Sequence, residues 1–258
     1  MAKSTRLEKI NEAIPVYTIE SLITATDTDM DNRQRPSAMF GLFQDIAAMH
    51  AGNLGADVRW LRNELGLAWI LMRIRLEIDQ YPMLGQEVTV ETWPQEPRAL
   101  YERDYMICDT ERNVLARAAS TWVIMDLGTR EIKRDKFLDY CGIETKKERA
   151  LGGSVGRLRS VPDAETVYEK EIKFSDVDYN YHTNNAKYVE YVMDVFPFED
   201  YKRRELRAIE VHYINETGPG DTLLIRLKNL EEGKDYVDGV RKSDGTPVFY
   251  ALAEWRDR

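Results

Sequence analysis

Apolar and polar positions along the chain lay out one series of elements twice. A β-branched and aromatic stretch, Val16–Ile23, is followed by an acidic turn at Asp27–Asp31 and then by Pro36, which suits the first position of a helix. From there Met39, Leu42, Phe43, Ile46 and Ala47 recur at the spacing that buries one helical face. Trp69–Ile78 reads as a buried strand, Tyr81–Gly85 as a turn, and Glu87–Trp93, Tyr101–Cys108 and Leu115–Leu127 as further strands. The order returns from about Tyr168, with a strand to Phe174, an acidic turn at Ser175–Asp178 and a helix from about Asn184. Its apolar stripe is Tyr188, Tyr191, Val192, Val195 and Phe196. Strands follow at Arg207–Ile214, Thr222–Asn229, Tyr236–Arg241 and Val248–Trp255, with a turn at Gly218-Pro219-Gly220.

A long helix followed by an antiparallel meander, done twice, predicts an α+β chain of two similar halves. Residues 133–166 are charged, contain Gly152-Gly153 and hold no sustained period, so they read as a surface connector. The expected boundaries are 1–132, 133–166 and 167–258. The register between halves slips. The helix stripes superpose at a shift of 149 residues, the acidic turns at 147, and Gly85 falls on Gly220 at 135, with most of the difference in the extra segment Ala56–Gly66. In any register, the first copy has no histidine from Asp27 to Met49, whereas the second has His182 directly before its helix.

Composition narrows the function classes. With 258 residues, 43% apolar and 31% charged, the chain has the make-up of a globular protein with one large or two small domains. Its net charge of -9 argues against a general nucleic-acid binder, which needs a broad basic footprint. An anionic partner would need a local patch, for which Lys133-Arg134-Lys136, Lys146-Lys147-Arg149, Arg157-Arg159 and Lys202-Arg203-Arg204 are the candidates. No stretch approaches membrane-spanning length and Met1–Lys9 lacks the apolar core of a signal peptide, so a cytoplasmic protein without membrane insertion is expected. Cys108 and Cys141 are too few for a disulfide framework and lack the spacing of a zinc site, and no metal is expected.

The chemistry concentrates between Phe174 and Tyr188. On an extended stretch, the two-residue side-chain period places Asp178, Asn180 and His182 on one side, where an acid, an amide and an imidazole could converge on one substrate. That is the layout of an acyl-transfer site. Each residue also has a plainer use: Asp178, Asn180 and Asn184 as turn or capping residues, His182 as a solvated loop group. His50 and His212 sit in no comparable turn and read as structural or exposed. Cys108, with Asp104 and Asp109 nearby, is a poor setting for a thiolate.

The run Asp178-x-Asn180-x-His182-Thr183-Asn184-Asn185-x-x-Tyr188, together with Trp69–Ile78 and Tyr81-Pro82, resembles the acyl-ACP thioesterases of plants and bacteria. The resemblance extends from about Ile14 to Trp255. It implies a tandem (double) hotdog, each half a long helix wrapped by an antiparallel β-sheet. It also implies hydrolysis of the thioester between a fatty acyl group and the phosphopantetheine arm of acyl carrier protein, which ends chain elongation. No cofactor of the protein's own is implied, since the substrate carries the phosphopantetheine. The implied partners are the acidic carrier protein and a fatty acyl chain, with homodimer formation left open.

The family's active-site pattern falls on Asp178, Asn180 and His182 and, through Tyr213-Ile214-Asn215-Glu216-Thr217, on Glu216. Plant members often carry cysteine where Thr217 stands, so a cysteine nucleophile is excluded there and attack by water is favoured. Glu216, or else Asp178, would activate that water, while Asn180 and His182 orient the thioester and move protons. Backbone N–H groups of Thr183, Asn184 and Asn185, at the positive end of the helix, are the expected oxyanion donors. Strict alternation along Arg207–Thr217, however, puts Glu216 on the face of Glu210 and His212 unless a bulge redirects it. The family's use of the amino-terminal half for the fatty chain singles out Met39, Phe40, Phe43, Trp69 and Met72, each equally readable as core.

Three other readings stay in play. One is a thioesterase for acyl-CoA or another small thioester. A hotdog enoyl hydratase would show Asp-x-Asn-Pro-x-His, one residue longer than Asp178 to His182 and with a proline. A non-catalytic hotdog acyl sensor would bring a DNA-binding helix-turn-helix, for which the segment before Val16 has no room.

Overall fold

The computed structural model describes residues 13–96, 100–133 and 143–258. They form two compact units, one from the described residues within Met1–Gln34, Gly41–Met72 and Gln80–Val155, the other from Arg35–Phe40, Arg73–Asp79 and Gly156–Arg258.

The first unit holds β1 (Tyr17–Leu22), most of helix α1 (Pro36–Asn53), α2 (Val58–Leu65), the first half of β2 (Leu67–Ile78), β3 (Glu87–Pro94), β4 (Tyr101–Cys108), β5 (Val114–Asp126) and the short β6 (Ile132–Lys133). Its strand order is β1-β3-β4-β5-β2, with β6 added to β5. Pro36 stands at the first helical position of α1, where its missing N–H costs nothing. Met39, Phe40, Phe43 and Ile46 are fully buried, and the Phe43 ring packs 4.9 Å from Tyr105. The extra segment of this half is helix α2, capped by the Asp57 side chain on Trp60 N–H and stopped by Gly66 in the left-handed region at φ 64°.

The second unit holds β7 (Glu165–Glu171), α3 (Asn185–Met193), α4 (Phe198–Arg203), β8 (Arg204–Tyr213), β9 (Thr222–Glu231), β10 (Lys234–Arg241) and β11 (Pro247–Asp257). Their order is β7-β9-β10-β11-β8, and β8 pairs antiparallel with Arg73–Glu77 of β2. The first unit's order is the same series, element for element. Connector residues 143–164 contain no helix or strand, and Leu151 and Val155 bury themselves against Ala119 of β5.

Backbone hydrogen bonds fix the correspondence between halves. Ile23 N–H donates to Gln86 O at 3.0 Å and Ile172 N–H to Asp221 O at 2.8 Å, while Gly85 and Gly220 N–H return to Ile23 O and Ile172 O. Ile23 thus matches Ile172, and Gly85 matches Gly220 as expected. In the turns, Asp29 N–H donates to Arg33 O and Asn32 N–H to Asp29 O, as Asp178 N–H donates to His182 O and Tyr181 N–H to Asp178 O. Asn32 and Tyr181 both take left-handed φ, 62° and 63°. Asp29 therefore matches Asp178, and the turns share the 149-residue shift of the helices. The acids alone suggest a shift of 147, whereas the backbone equates Asp31 with Asn180 and Arg33 with His182.

Helix α1 ends in a buried polar cluster. His50 Nε2 lies 2.8 Å from Ile14 O, Nδ1 lies 2.9 Å from the Arg103 guanidinium, and the ring stacks 5.5 Å from Tyr17. Arginine can only donate, so Nδ1 is the acceptor and Nε2–H donates to Ile14. Burial, and then the Arg103 charge, push the His50 pKa from 6.5 down to about 4. An unfolded histidine keeps its ordinary value. Between pH 6.5 and about 4 the unfolded chain therefore binds a proton that the folded chain refuses, and stability is lost as pH falls through that window. The full effect is about 3 kcal/mol. Urea midpoints compared at pH 7 and pH 4.5 will fall less for His50→Gln, whose amide can keep both hydrogen bonds, than for the wild type.

Candidate active site

The loop before α3 is built around two aspartates. Asp176, buried, accepts from Lys173 N–H and from Lys170 Nζ, both at 2.8 Å, and its carbonyl accepts from Asn184 N–H at 2.9 Å. Burial works against its ionisation, yet these donors hold its carboxyl below the ordinary range. Val177 and Thr183 pair across the loop. Between them Asp178 Oδ1 accepts from Asn180 N–H at 2.8 Å, the main chain closes from Asp178 N–H to His182 O at 2.9 Å, and Tyr181 takes the left-handed corner. Residues 178–182 are thus a tight turn and not an extended stretch. The strand-like alternation expected for Asp178, Asn180 and His182 does not hold, because the Asp178 carboxylate offers the backbone a local partner that a sheet neighbour would otherwise supply.

Asn184 caps α3, its side chain accepting from Ala186 N–H at 2.8 Å. The Thr183 N–H donates to Thr217 O at 2.8 Å and the Asn184 N–H to Asp176 O. These two amides are engaged in holding the loop, which removes them as oxyanion donors. The main chain of Asn185, the first helical residue, accepts at its carbonyl from Tyr213 Oη at 3.1 Å.

Glu216 reaches the same place from β8. The strand ends at Tyr213, and Ile214 and Asn215 N–H both donate to Val248 O, at 2.8 and 3.2 Å. Two residues on one acceptor break the alternation that would have carried Glu216 to the face of Glu210 and His212. That pair lies apart, His212 Nε2 2.7 Å from Glu210 Oε1 with the ring buried. Since Thr183 is bonded to Thr217, the residues immediately before them are neighbours as well, and His182 Nε2 stands 3.6 Å from Glu216 Oε2. Both side chains are half-exposed, at 43% and 38%. Beneath them is a buried contact of three hydroxyls that the sequence did not reveal. Thr217 Oγ1 lies 2.8 Å from Thr183 Oγ1 and 2.7 Å from Tyr188 Oη.

The first unit makes the same junction with other side chains. Gln34 N–H donates to Pro82 O at 2.8 Å, and the preceding residues are Arg33 and Tyr81, the guanidinium standing 5.2 Å over the phenol ring. Carboxylate and imidazole meet only in the second unit's copy of this junction.

Of the acyl-chain candidates, Met39, Phe40 and Phe43 are fully buried, whereas Trp69 and Met72 are partly exposed. Trp69 Nε1 donates to Ala56 O and its ring packs on Tyr101. Cys108 is buried and its thiol is pushed up by that burial, in keeping with a structural role, while Cys141 lies outside the described residues. Among the described residues no helix is long and apolar enough to cross a membrane, and no group of three histidines, cysteines or acids could hold a metal ion.

Two units with one strand order, each pairing a helix with an antiparallel sheet and entering the helix by one turn, define a tandem hotdog protein. Family models agree: the acyl-ACP thioesterase N-terminal domain matches residues 15–136 and the C-terminal domain residues 160–256. The chain belongs to the acyl-ACP thioesterase family. An oleoyl-acyl carrier protein thioesterase of Arabidopsis thaliana is 27% identical over 243 residues, covering 86% of this chain and 66% of that relative. The chain thus spans about two thirds of that relative's length. Among solved structures, an acyl-ACP thioesterase from Bacteroides thetaiotaomicron superposes with a TM-score of 0.86 at 22% identity, covering 97% of this chain and 99% of the other. A 12:0-ACP thioesterase from Umbellularia californica gives 0.84 at 20% identity, covering 96% and 100%. At these identities the superpositions establish the fold.

The turn geometry predicts how Asp178 responds to substitution. Asp178→Asn keeps an acceptor for the Asn180 N–H and will melt close to wild type, whereas Asp178→Ala will lose about 1 kcal/mol. Chemical denaturation of the two variants checks this.

Proposed function

We propose that the chain hydrolyses the thioester between a fatty acyl group and acyl carrier protein, releasing the free fatty acid. The observation that carries this reading is the half-exposed imidazole and carboxylate, 3.6 Å apart, within the segment matched by the family's C-terminal domain. Nε2 of His182 and Oε2 of Glu216 are close enough to share one water at ordinary hydrogen-bond distances from both. Glu216 takes a proton from this water as its oxygen attacks the thioester carbon. The side-chain amide of Asn180 and the His182 ring N–H donate toward the oxygen that becomes negative. Collapse breaks the C–S bond, and the proton held by Glu216 passes through His182 to the departing sulfur. One water is consumed, and an acid and a thiol leave. Asp178 acts in this scheme by shaping the turn that presents Asn180 and His182, and no thiol at position 217 competes with water.

The carrier's acidic surface calls for exposed cations. Arg149 pairs with Glu102, Lys202 with Glu199 and Arg204 with Asp200, while Lys146 lies 4.0 Å over the Trp93 ring. Arg157 and Arg159 are exposed and, among the described residues, without an ion-pair partner. Arg134 and Lys136 of the first cluster lie outside the described residues. This proposal docks the carrier on Arg157 and Arg159, two such cations close together in the chain.

Glu216→Gln and His182→Ala will each lower kcat for acyl-ACP by about 100-fold or more, with an unchanged circular dichroism spectrum. Wild-type turnover in both would refute the site. Reversing Arg157 and Arg159 to Glu will raise KM for acyl-ACP and spare matched acyl-CoA; equal effects on the two substrates would refute carrier docking there.

A further inference from the structure

We propose that Thr217 is a positioning residue, its hydroxyl clasped between those of Thr183 and Tyr188 so as to fix Glu216 against His182. The inference rests on the hydrolase reading above.

Thr183, Thr217 and Tyr188 are all buried, and their hydroxyls meet at 2.8 and 2.7 Å. A hydroxyl carries one proton and two lone pairs, so Thr217 donates to at most one of its two neighbours. Removing it takes one partner from each of two buried hydroxyls, which keep only their contact with each other. The three residues come from three places: the loop before α3, the helix itself, and the loop after β8. Thr217 is therefore joined to Thr183 at two points, through its carbonyl to the Thr183 N–H and through its side chain. Two attachments resist the twist that one hydrogen bond allows. Glu216 and His182 each lie one residue upstream of these attachments, so any twist there is passed to their separation.

The first copy of the turn and helix supplies the internal control. The residues matching Thr183, Thr217 and Tyr188 are Gln34, Pro82 and Met39, and the main-chain bond is kept at 2.8 Å. The fold thus makes this junction without hydroxyls. They occur in the copy that also places an imidazole beside a carboxylate, which ties them to the chemistry and not to the turn.

The test uses the full chain with acyl-ACP and compares Thr217→Val, Thr217→Ser and Thr183→Val, with Glu216→Gln as the reference for a lost base. Valine preserves shape and β-branching. Thr217→Val and Thr183→Val will each lower kcat about 10- to 100-fold, the loss that a small misplacement of reacting groups produces, with KM within about twofold. The double variant will lose no more than either single one, because both remove the same contact. Thr217→Ser will recover kcat to within about threefold of wild type, and the pH profile of kcat/KM will move in Thr217→Val but not in Thr217→Ser. Wild-type kcat in Thr217→Val beside an inactive Glu216→Gln would overturn the positioning role alone. So would a Thr217→Ser variant as slow as Thr217→Val, or a lower melting temperature with kcat per folded molecule unchanged. Wild-type kcat in Glu216→Gln would instead overturn the hydrolase reading, and this inference with it.

Discussion

A main-chain hydrogen bond from Thr183 N–H to Thr217 O is the constraint on which the candidate site depends. It fastens the loop that leads into one helix to the loop that leaves one strand, two segments with 33 residues between them. Beyond the short 3-10 turn at Phe174–Asp176, neither loop has regular structure to position it. Joined at this point, with Asp176 accepting from the Asn184 amide on one side and Val248 bonding Ile214 and Asn215 on the other, they hold His182 and Glu216 together without direct help from either side chain. The gap of 3.6 Å exceeds a hydrogen bond, whereas the main-chain bond beside it closes at 2.8 Å and sets the arrangement.

The same bond in the first unit, Gln34 to Pro82, separates what the hotdog needs from what the chemistry needs. Both halves keep an aspartate at the head of the turn, Asp29 or Asp178, because its carboxylate accepts a backbone N–H two residues on. Both keep a left-handed corner, at Asn32 and Tyr181. The side chains presented from this frame differ: Arg33 stacked on Tyr81 in one half, His182 beside Glu216 in the other. The two halves share the frame and differ in the side chains it presents.

Much of this was legible from the chain alone. The helical stripe from Met39, the first turns of that from Tyr188, the strand pairs that follow and the capping role of Asn184 correspond to periodic or local signals, while Val195 and Phe196 lie beyond the end of α3 at Met193. Helix α2 leaves no periodic signal, because eight residues are too short to establish one, although Asp57 and Gly66 are recognisable caps. The spacing of the acids alone leaves the two turns out of register by two residues. Aspartates serve several turn positions, and only the hydrogen bonds show that Asp29 and Asp178 share one.

By itself, the sequence determined the α+β class, the duplication, the half that carries the histidine and the family pattern, since each is written in neighbouring residues or in a repeated period. The tertiary structure alone decided that Glu216 leaves the face of Glu210 and His212, that Thr183 and Asn184 spend their amides on the scaffold, and that Thr217 joins a buried hydroxyl contact. Each of those depends on residues distant in the chain meeting at one point, where a strand irregularity beside Val248 and the pairing of Thr183 with Thr217 set directions that no local periodicity encodes.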